Sequence, residues 1–495
     1  MRMRLVGLAI CIASALSACS LAPAYRTPQS APVPGAYREA GDWKQAQPAD
    51  AQARGPWWSI YHDPMLDALE ARVTDANQDI RAAFARLQQA RAATRIARAA
   101  YFPTVTAGAT GSRSSSSLNA PTYVSTKPQT YNDLALDADV SYEIDLWGRV
   151  RNTVASARFS EQASAADLAS FDLSLHAELA SDYFMLRSED AQQELLDRTV
   201  TDYTRALELT ENLYNGGAAP LADLQQAQAQ VETARTQAAN IRLQRSQTEH
   251  AIAVLLGESA SAFRIDARPL SLDVTPPTVD PGLPSALLER RPDVAAAERR
   301  VAAANAGIGI ARAAYFPVFG LLGGGGFEST SISNWITAPS QMWSAGPSAL
   351  LTVFDAGLHR AQSAQAHAVY DEQVANYRGT VLNAYQEVED NLAALRQLQQ
   401  ECTSEAAAVV ATQGALEQAQ YRYQGGLVTY LEVVVAENAA LAARLSAADI
   451  QVRRMSASVS LVKALGGGWE TPAPNHSLRP VAEPAERISM NDNPR

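Results

Sequence analysis

The residues able to do covalent or metal chemistry are few and scattered. The 495-residue chain has three cysteines and six histidines, and neither set falls into the close, repeated spacings that metal ligation needs. No serine, cysteine or threonine stands in a convincing nucleophile–base context. The run "GGGG" at Gly323–Gly326 has no following Lys-Ser/Thr pair and no strand-to-helix setting, so it does not read as a phosphate loop. Close backbone packing within a strand explains it better. No catalytic residue, no metal and no cofactor are expected. One group with covalent chemistry remains, the thiol of Cys19, which ends the stretch "LSAC".

That thiol sits behind a leader. Arg2 and Arg4 make a basic start, and Leu5–Leu16 make an apolar core too short to span a bilayer, which is the pattern of a signal peptide. "LSAC" resembles a bacterial lipobox, in which the signal is cut before the cysteine and the thiol then carries lipid. Residues 1–18 are therefore read as a lipoprotein signal peptide and Cys19 as the lipid-attachment site; an ordinary signal peptide with an incidental cysteine is the other reading. Ser20, where an Asp would favour inner-membrane retention, points to the outer membrane. Each buried acyl CH₂ contributes about 0.8 kcal/mol to anchoring. Losing Arg2 and Arg4 takes the net charge from −11 to −13, which argues against a nucleic-acid partner. Cys11 leaves with the leader and Cys19 is acylated, so Cys402 has no intrachain partner and reads as a small helix residue. No other stretch reaches about 18 consecutive apolar residues; that excludes a spanning helix but not a β-barrel.

The elements that must carry any function come in two copies. "ARAAYFP" occurs at Ala97–Pro103 and again at Ala311–Pro317, and Asn77–Pro103 laid on Arg291–Pro317 gives 14 identities in 27 pairs. "DLWGR" (Asp145–Arg149) resembles "FDAGL" (Phe354–Leu358), and "LYNGGAAPLADLQQAQ" (Leu213–Gln228) resembles "RYQGGLVTYLEVVVAE" (Arg422–Glu437). The offset is 214 before Pro103 and 209 after Gly148, so one copy has a loop longer by five residues. A period near 210 is too long for a solenoid and reads as a duplicated half-protein. Asp63–Ala100 reads as helical. "YNDLALDADVSYEIDLW" then alternates, with Leu134, Leu136, Ala138, Val140, Tyr142 and Ile144 on one face and Asp133, Asp137, Asp139 and Glu143 on the other. An apolar face opposite a charged one suits a membrane barrel around a wet lumen, although a soluble sandwich alternates in the same way. Each half supplies one β-hairpin, and four strands cannot close a barrel in lipid. Three copies would give twelve.

A long helical run follows each hairpin. Val150–Tyr214 has neither Gly nor Pro, and Arg360–Gln424 has two isolated glycines. About 65 residues at 1.5 Å each span on the order of 100 Å. The runs stop at Gly216-Gly217 and Gly425-Gly426, strong helix terminators, and a returning helix follows each. In the last one Leu431, Val434, Asn438, Leu441, Leu445, Ala448, Val452, Met455, Val459 and Val462 recur at heptad spacing. The chain divides into a signal peptide (1–18), an extended lipid-anchored segment (19–60) whose end Trp57 and Trp58 pin, a first repeat (61–265), a Pro-rich linker (266–285), a second repeat (286–468) and a disordered tail (469–495). Each repeat is a helix, a β-hairpin and a long α-hairpin.

The lipobox, this duplicated unit, "LLERRPDVAAAE" (Leu287–Glu298), "YEIDLWGR" (Tyr142–Arg149) and the paired double-Gly turns together resemble the outer-membrane factor family of tripartite efflux pumps, in its NodT-type lipoprotein branch. The resemblance covers nearly all of residues 19–468. It implies a mixed α and β membrane protein, a homotrimer with a twelve-stranded outer-membrane β-barrel continued by a periplasmic α-helical barrel. It also implies a periplasmic adaptor protein and an inner-membrane efflux transporter of the resistance-nodulation-division type as partners. Function would be passive conduction of small toxic compounds or drugs from periplasm to exterior, with a type I protein secretion duct as the alternative. A structural coiled-coil lipoprotein would leave the two matched hairpins unexplained. Gly216, Gly217, Gly425 and Gly426 match the adaptor-docking tips. Tyr101-Phe102-Pro103 and Tyr315-Phe316-Pro317 mark the helix-to-strand joints, where Pro stops the helix and the rings suit a membrane interface. In the family a gate of leucine and acidic rings lies just past the second double-Gly turn. Leu431 matches the leucine; Val435 stands at the acidic position, a departure, and Glu432 and Glu437 are the neighbours able to supply charge.

Overall fold

The computed structural model describes residues 20–29, 37–38, 56–117, 119, 130–271, 274–279 and 290–467. Cys19, the leader and the tail after 467 lie outside the described residues. Elements are numbered in chain order: α1 Pro64–Ala76, α2 Gln78–Ala99, β1 Thr104–Ser115, β2 Thr130–Ile144, α3 Arg149–Asn215, α4 Leu221–Leu255, α5 Pro292–Ala313, β3 Val318–Ser329, β4 Gln341–Leu350, α6 Leu358–Gln424 and α7 Tyr430–Ala464.

Most corresponding elements of the two halves have matching lengths, although β2 has 15 residues and β4 has 10. α2 and α5 have 22 residues each, β1 and β3 have 12, α3 and α6 have 67, and α4 and α7 have 35. The strands form one antiparallel sheet in the order β1-β2-β3-β4. Among the helices next to the sheet, α2 packs on α3, α3 on α5 and α5 on α6. Sheet and helix layers therefore run through the chain in the same order, and each ends in two unpaired edges. Further from the sheet, α3 packs on α4 and α7, and α7 on α6.

Glycine sets the sheet spacing where the charged face of β2 crosses its neighbours. Asp137 lies over Gly108, and a Cβ on Gly324 would collide with the Asp139 carboxylate. All four residues of Gly323–Gly326 lie inside β3, as close strand packing requires. α3 and α6 both start after a left-handed glycine, Gly148 (φ 77°) and Gly357 (φ 90°), a geometry that costs a Cβ-bearing residue roughly 1–2 kcal/mol. Aspartates just upstream then satisfy the first free amides. Asp145 accepts from Val150 N and Arg151 N, and Asp355 from Gly357 N and His359 N.

Two details differ from the sequence reading. The helix expected over Asp63–Ala100 is broken into α1 and α2. Asn77 leaves the helical conformation (ψ 128°), caps Asp79 N and Ile80 N with its Oδ1, and donates from Nδ2 to Leu255 O at 2.9 Å. An Asn inside an alanine-rich helix carries little local signal; its partner is 178 residues away. The heptad seam of α7 holds from Leu441 onward. Nearer the turn the packed side is Tyr430, Val433, Val434 and Glu437, while Leu431 and Asn438 face outward.

The extended segment runs along the seam where α3 of the first half meets α5 of the second. Ser20 Oγ bonds Asn152, Asn305 donates to Pro23 O, and the Tyr25 hydroxyl donates to Glu298 at 2.5 Å. Its end is pinned where Trp58 stacks on His176, ring centroids 4.4 Å apart. His176 Nδ1 lies 2.5 Å from buried Glu70 in the main core between α1 and α3. Burial raises the Glu70 carboxyl to about 9 and lowers the His176 imidazole, because the low-dielectric core disfavours the charged form of each.

Candidate functional site

The two hairpin turns share one backbone. Gly217 and Gly426 have φ 72° and 69°, and Gly216 N and Gly425 N each donate four residues back, to Asn212 O and Tyr421 O at 3.0 Å. Ala218 N reaches Leu213 O, and Leu427 N reaches Arg422 O. These are Schellman-type closures that glycine alone makes without strain. All four glycines expected at the tips sit there.

The tips are tied together by side chains from four helices. Leu207 of α3, Ala227 of α4, Ala419 of α6 and Tyr430, Val433 and Val434 of α7 form one apolar cluster. The Tyr423 and Tyr430 rings lie 5.4 Å apart. Glu437 is packed into this region at 9 % exposure, and its Oε2 has no hydrogen-bond partner. Burial pushes its carboxyl up to about 7, and the negative charge of Asp202 adds to the shift. Burial likewise raises the Tyr203 and Tyr430 hydroxyls, with Glu437 adding to both.

The outward face of α7 is apolar. Leu431 is 58 % exposed and Val435 61 % exposed, one helical turn apart and therefore on one face; exposed Asn438 then interrupts the apolar stretch. Leu427, in the turn, is also exposed. Glu432 lies beside this face, bound to Arg422 across the hairpin. Glu437 lies on the opposite, packed side. The structure thus brings Leu431 and Val435 together, leaves Glu432 at their flank and removes Glu437 from the face. The first tip has no such face: Ala222 and Gln226 stand where Leu431 and Val435 stand, 209 positions earlier.

The joints are placed alike but finished differently. α2 and α5 end just before Tyr101 and Tyr315, and strands begin just past Pro103 and Pro317. Phe316 stacks on Trp147, centroids 4.7 Å apart, and Trp147 Nε1 donates to Pro317 O at 2.8 Å. Phe102 is 71 % exposed with no such brace. Trp147 is a partner that heptapeptide matching could not find, because its counterpart in the second half is Ala356. Among the described residues, no group of three His, Cys, Asp or Glu could hold a metal, and no helix is long and apolar enough to cross a membrane.

Residues 71–258 and 283–467 match the outer membrane efflux protein family. The chain is 34 % identical over 464 residues to outer membrane protein OprJ of Pseudomonas aeruginosa, covering 93 % of this chain and 95 % of that protein. It is 33 % identical over 456 residues to the toluene efflux pump outer membrane protein TtgC of Pseudomonas putida, covering 92 % and 93 %. Its structure superposes on the outer-membrane channel OprN with a TM-score of 0.84 at 30 % identity, covering 92 % of this chain and all of that one. The chain belongs to the outer membrane efflux protein family, and its place is the outer membrane.

Proposed function

We propose that three copies of this chain close into a single duct, the passive outer-membrane exit of a tripartite efflux system. The carrying observation is that sheet and helix arc run in the same order and both end in open edges. Open strand edges are not tolerated in lipid, and three four-stranded sheets joined β4 to β1 make a twelve-stranded antiparallel barrel. The helices continue that wall away from the membrane for on the order of 100 Å, the length of α3 or α6. The duct does no covalent chemistry. A periplasmic adaptor meets the tips around Gly216-Gly217 and Gly425-Gly426, and an inner-membrane transporter of the resistance-nodulation-division type supplies energy and selects cargo.

Three Leu431 and three Val435 side chains would face the pore as apolar rings, a constriction that closes by excluding water. With Val435 in place of a carboxylate and Glu432 bound to Arg422, the constriction favours no cation. Small toxic apolar compounds fit this lining, and the named toluene pump relative supports that class. Lipid on Cys19 would hold the protein to the membrane, and the bond of neighbouring Ser20 to Asn152 in the first turn of α3 would place that anchor near the helix-to-strand joints. Nothing favours the protein secretion duct over efflux.

The test is native mass together with single-channel conductance in a planar bilayer. A trimer with a small conductance that rises in Leu431→Ala with Val435→Ala supports a duct closed at this face. A large wild-type conductance untouched by the double variant moves the gate elsewhere, and a folded monomer without conductance overturns the reading.

A further inference from the structure

The seam between α3 and α5 inside one chain is the template for the seam between two chains. The helix arc ends in α2 on one side and α6 on the other. By sequence offset α2 corresponds to α5 and α6 to α3. If copies join edge to edge, α6 of one meets α2 of the next in the geometry that α3 and α5 already show. This rests on the trimeric reading above and adds its residue pairing.

Within the chain, that seam has three polar or close contacts. Arg300 Nη2 of α5 pairs with Asp167 Oδ2 of α3 at 2.5 Å. Ser156 Oγ donates to Ala303 O at 3.1 Å. Gly309 leaves room for Asn152 and for Ala22 of the extended segment, both of which a Cβ would strike. Asn152, Ser156, Ala163 and Asp167 follow one stripe of α3 at 3,4 spacing, and Ala163 is buried at 3 % exposure.

Transferred to the open edges, the arginine is kept: Arg300 becomes Arg86. The acid is not, because Asp167 becomes Asn376. A carboxylate reappears one turn nearer the sheet, where buried Ala163 becomes Glu372. One turn is about 5.4 Å, within the reach of an arginine side chain. Arg86 and Glu372 are both exposed, and among the described residues neither has an ion-pair partner in the isolated chain. The charges of the two edges are complementary around this pair. α2 carries Arg81, Arg86, Arg91, Arg95 and Arg98 against Asp79 alone, and α6 between Leu358 and Asn376 carries Asp371 and Glu372 against Arg360, which lies three turns nearer the sheet. Arg95 stands where Gly309 makes room for the extended segment, so a seam between copies would be filled by a side chain instead of a strap.

We infer that Arg86 of one copy and Glu372 of the next form the ion pair that sets the register of the helical wall between copies. The occupant of the open α2 face is thus the α6 edge of a second copy of this chain.

The experiment uses the full-length protein in membranes with Cys402→Ser. Arg86→Cys combined with Glu372→Cys is treated with a short bis-maleimide and run on a denaturing gel. A ladder of covalent dimer and trimer is expected, and each single cysteine variant should give none. Arg300→Cys with Asp167→Cys should bridge within one chain and give no ladder. In parallel, Arg86→Glu should shift native mass from trimer towards monomer, and adding Glu372→Arg should restore the trimer. A monomeric wild type would overturn the trimer itself. A trimeric wild type with no ladder would overturn the seam alone. A ladder with no rescue by the double reversal would overturn the ion pair.

Discussion

At the first hairpin tip, α3 turns through Gly216-Gly217 into α4, whose outward positions are Ala222 and Gln226. At the second, α6 turns through Gly425-Gly426 into α7, whose outward positions are Leu431 and Val435. Helix lengths, turn dihedrals and closing hydrogen bonds agree between them. The difference lies in side chains that the backbone does not need. One of the two matching tips carries an apolar face and a buried carboxylate, Glu437, where the other has exposed Gln228. In the proposed trimer, a pore with six similar tips would carry three constricting ones.

The largest expected effect is on conductance. Leu431→Ala with Val435→Ala should raise single-channel conductance several-fold, while Gln226→Ala should leave it unchanged. An equal response at both tips would break the comparison. The next effect is a pH dependence that the second tip has and the first lacks. The Glu437 carboxyl is raised from its ordinary value to about 7, so the folded state holds a proton that the unfolded chain has released. Stability then falls as pH rises from about 4.5 to 7. Glu437→Gln should be as stable as wild type at pH 5 and more stable at pH 8, by up to about 3 kcal/mol per chain at 1.36 kcal/mol per pKa unit. Thermal melting at the two pH values measures this, and a variant less stable at pH 8 would refute it. A smaller effect should be shared. Gly217→Ala and Gly426→Ala each place a Cβ in a left-handed residue and should cost roughly 1–2 kcal/mol, read as equal losses of amide-exchange protection at the two tips. The smallest is Arg422→Ala, which releases Glu432. For a half-exposed pair the loss should stay below about 1 kcal/mol, with melting nearly unchanged and a larger effect indicating that the pair latches the hairpin.

What the sequence by itself determined is local or repeated. Gly-Gly ends a helix and Pro103 and Pro317 start strands because of their own backbone chemistry. Alternation from Leu134 to Ile144 marks a strand whatever lies around it. The doubled "ARAAYFP" located the joints, and the duplicated unit, "LLERRPDVAAAE", "YEIDLWGR", the lipobox and the double-Gly turns together carried the family resemblance. What tertiary structure decided depends on partners far along the chain. The Asn77 break is made by Leu255 O, and the brace on Phe316 is Trp147, which has no repeat in the second half. Leu431 and Glu437 lie within two turns of one apolar helix; heptad spacing assigned Leu431 to the packed seam, and the family match offered both residues to the gate. Packing against Tyr203, Leu207 and Ala227 of the other hairpin turned Glu437 inward and left Leu431 and Val435 outside. A helix apolar on more than one side does not specify which side is buried, so that choice belongs to its neighbours.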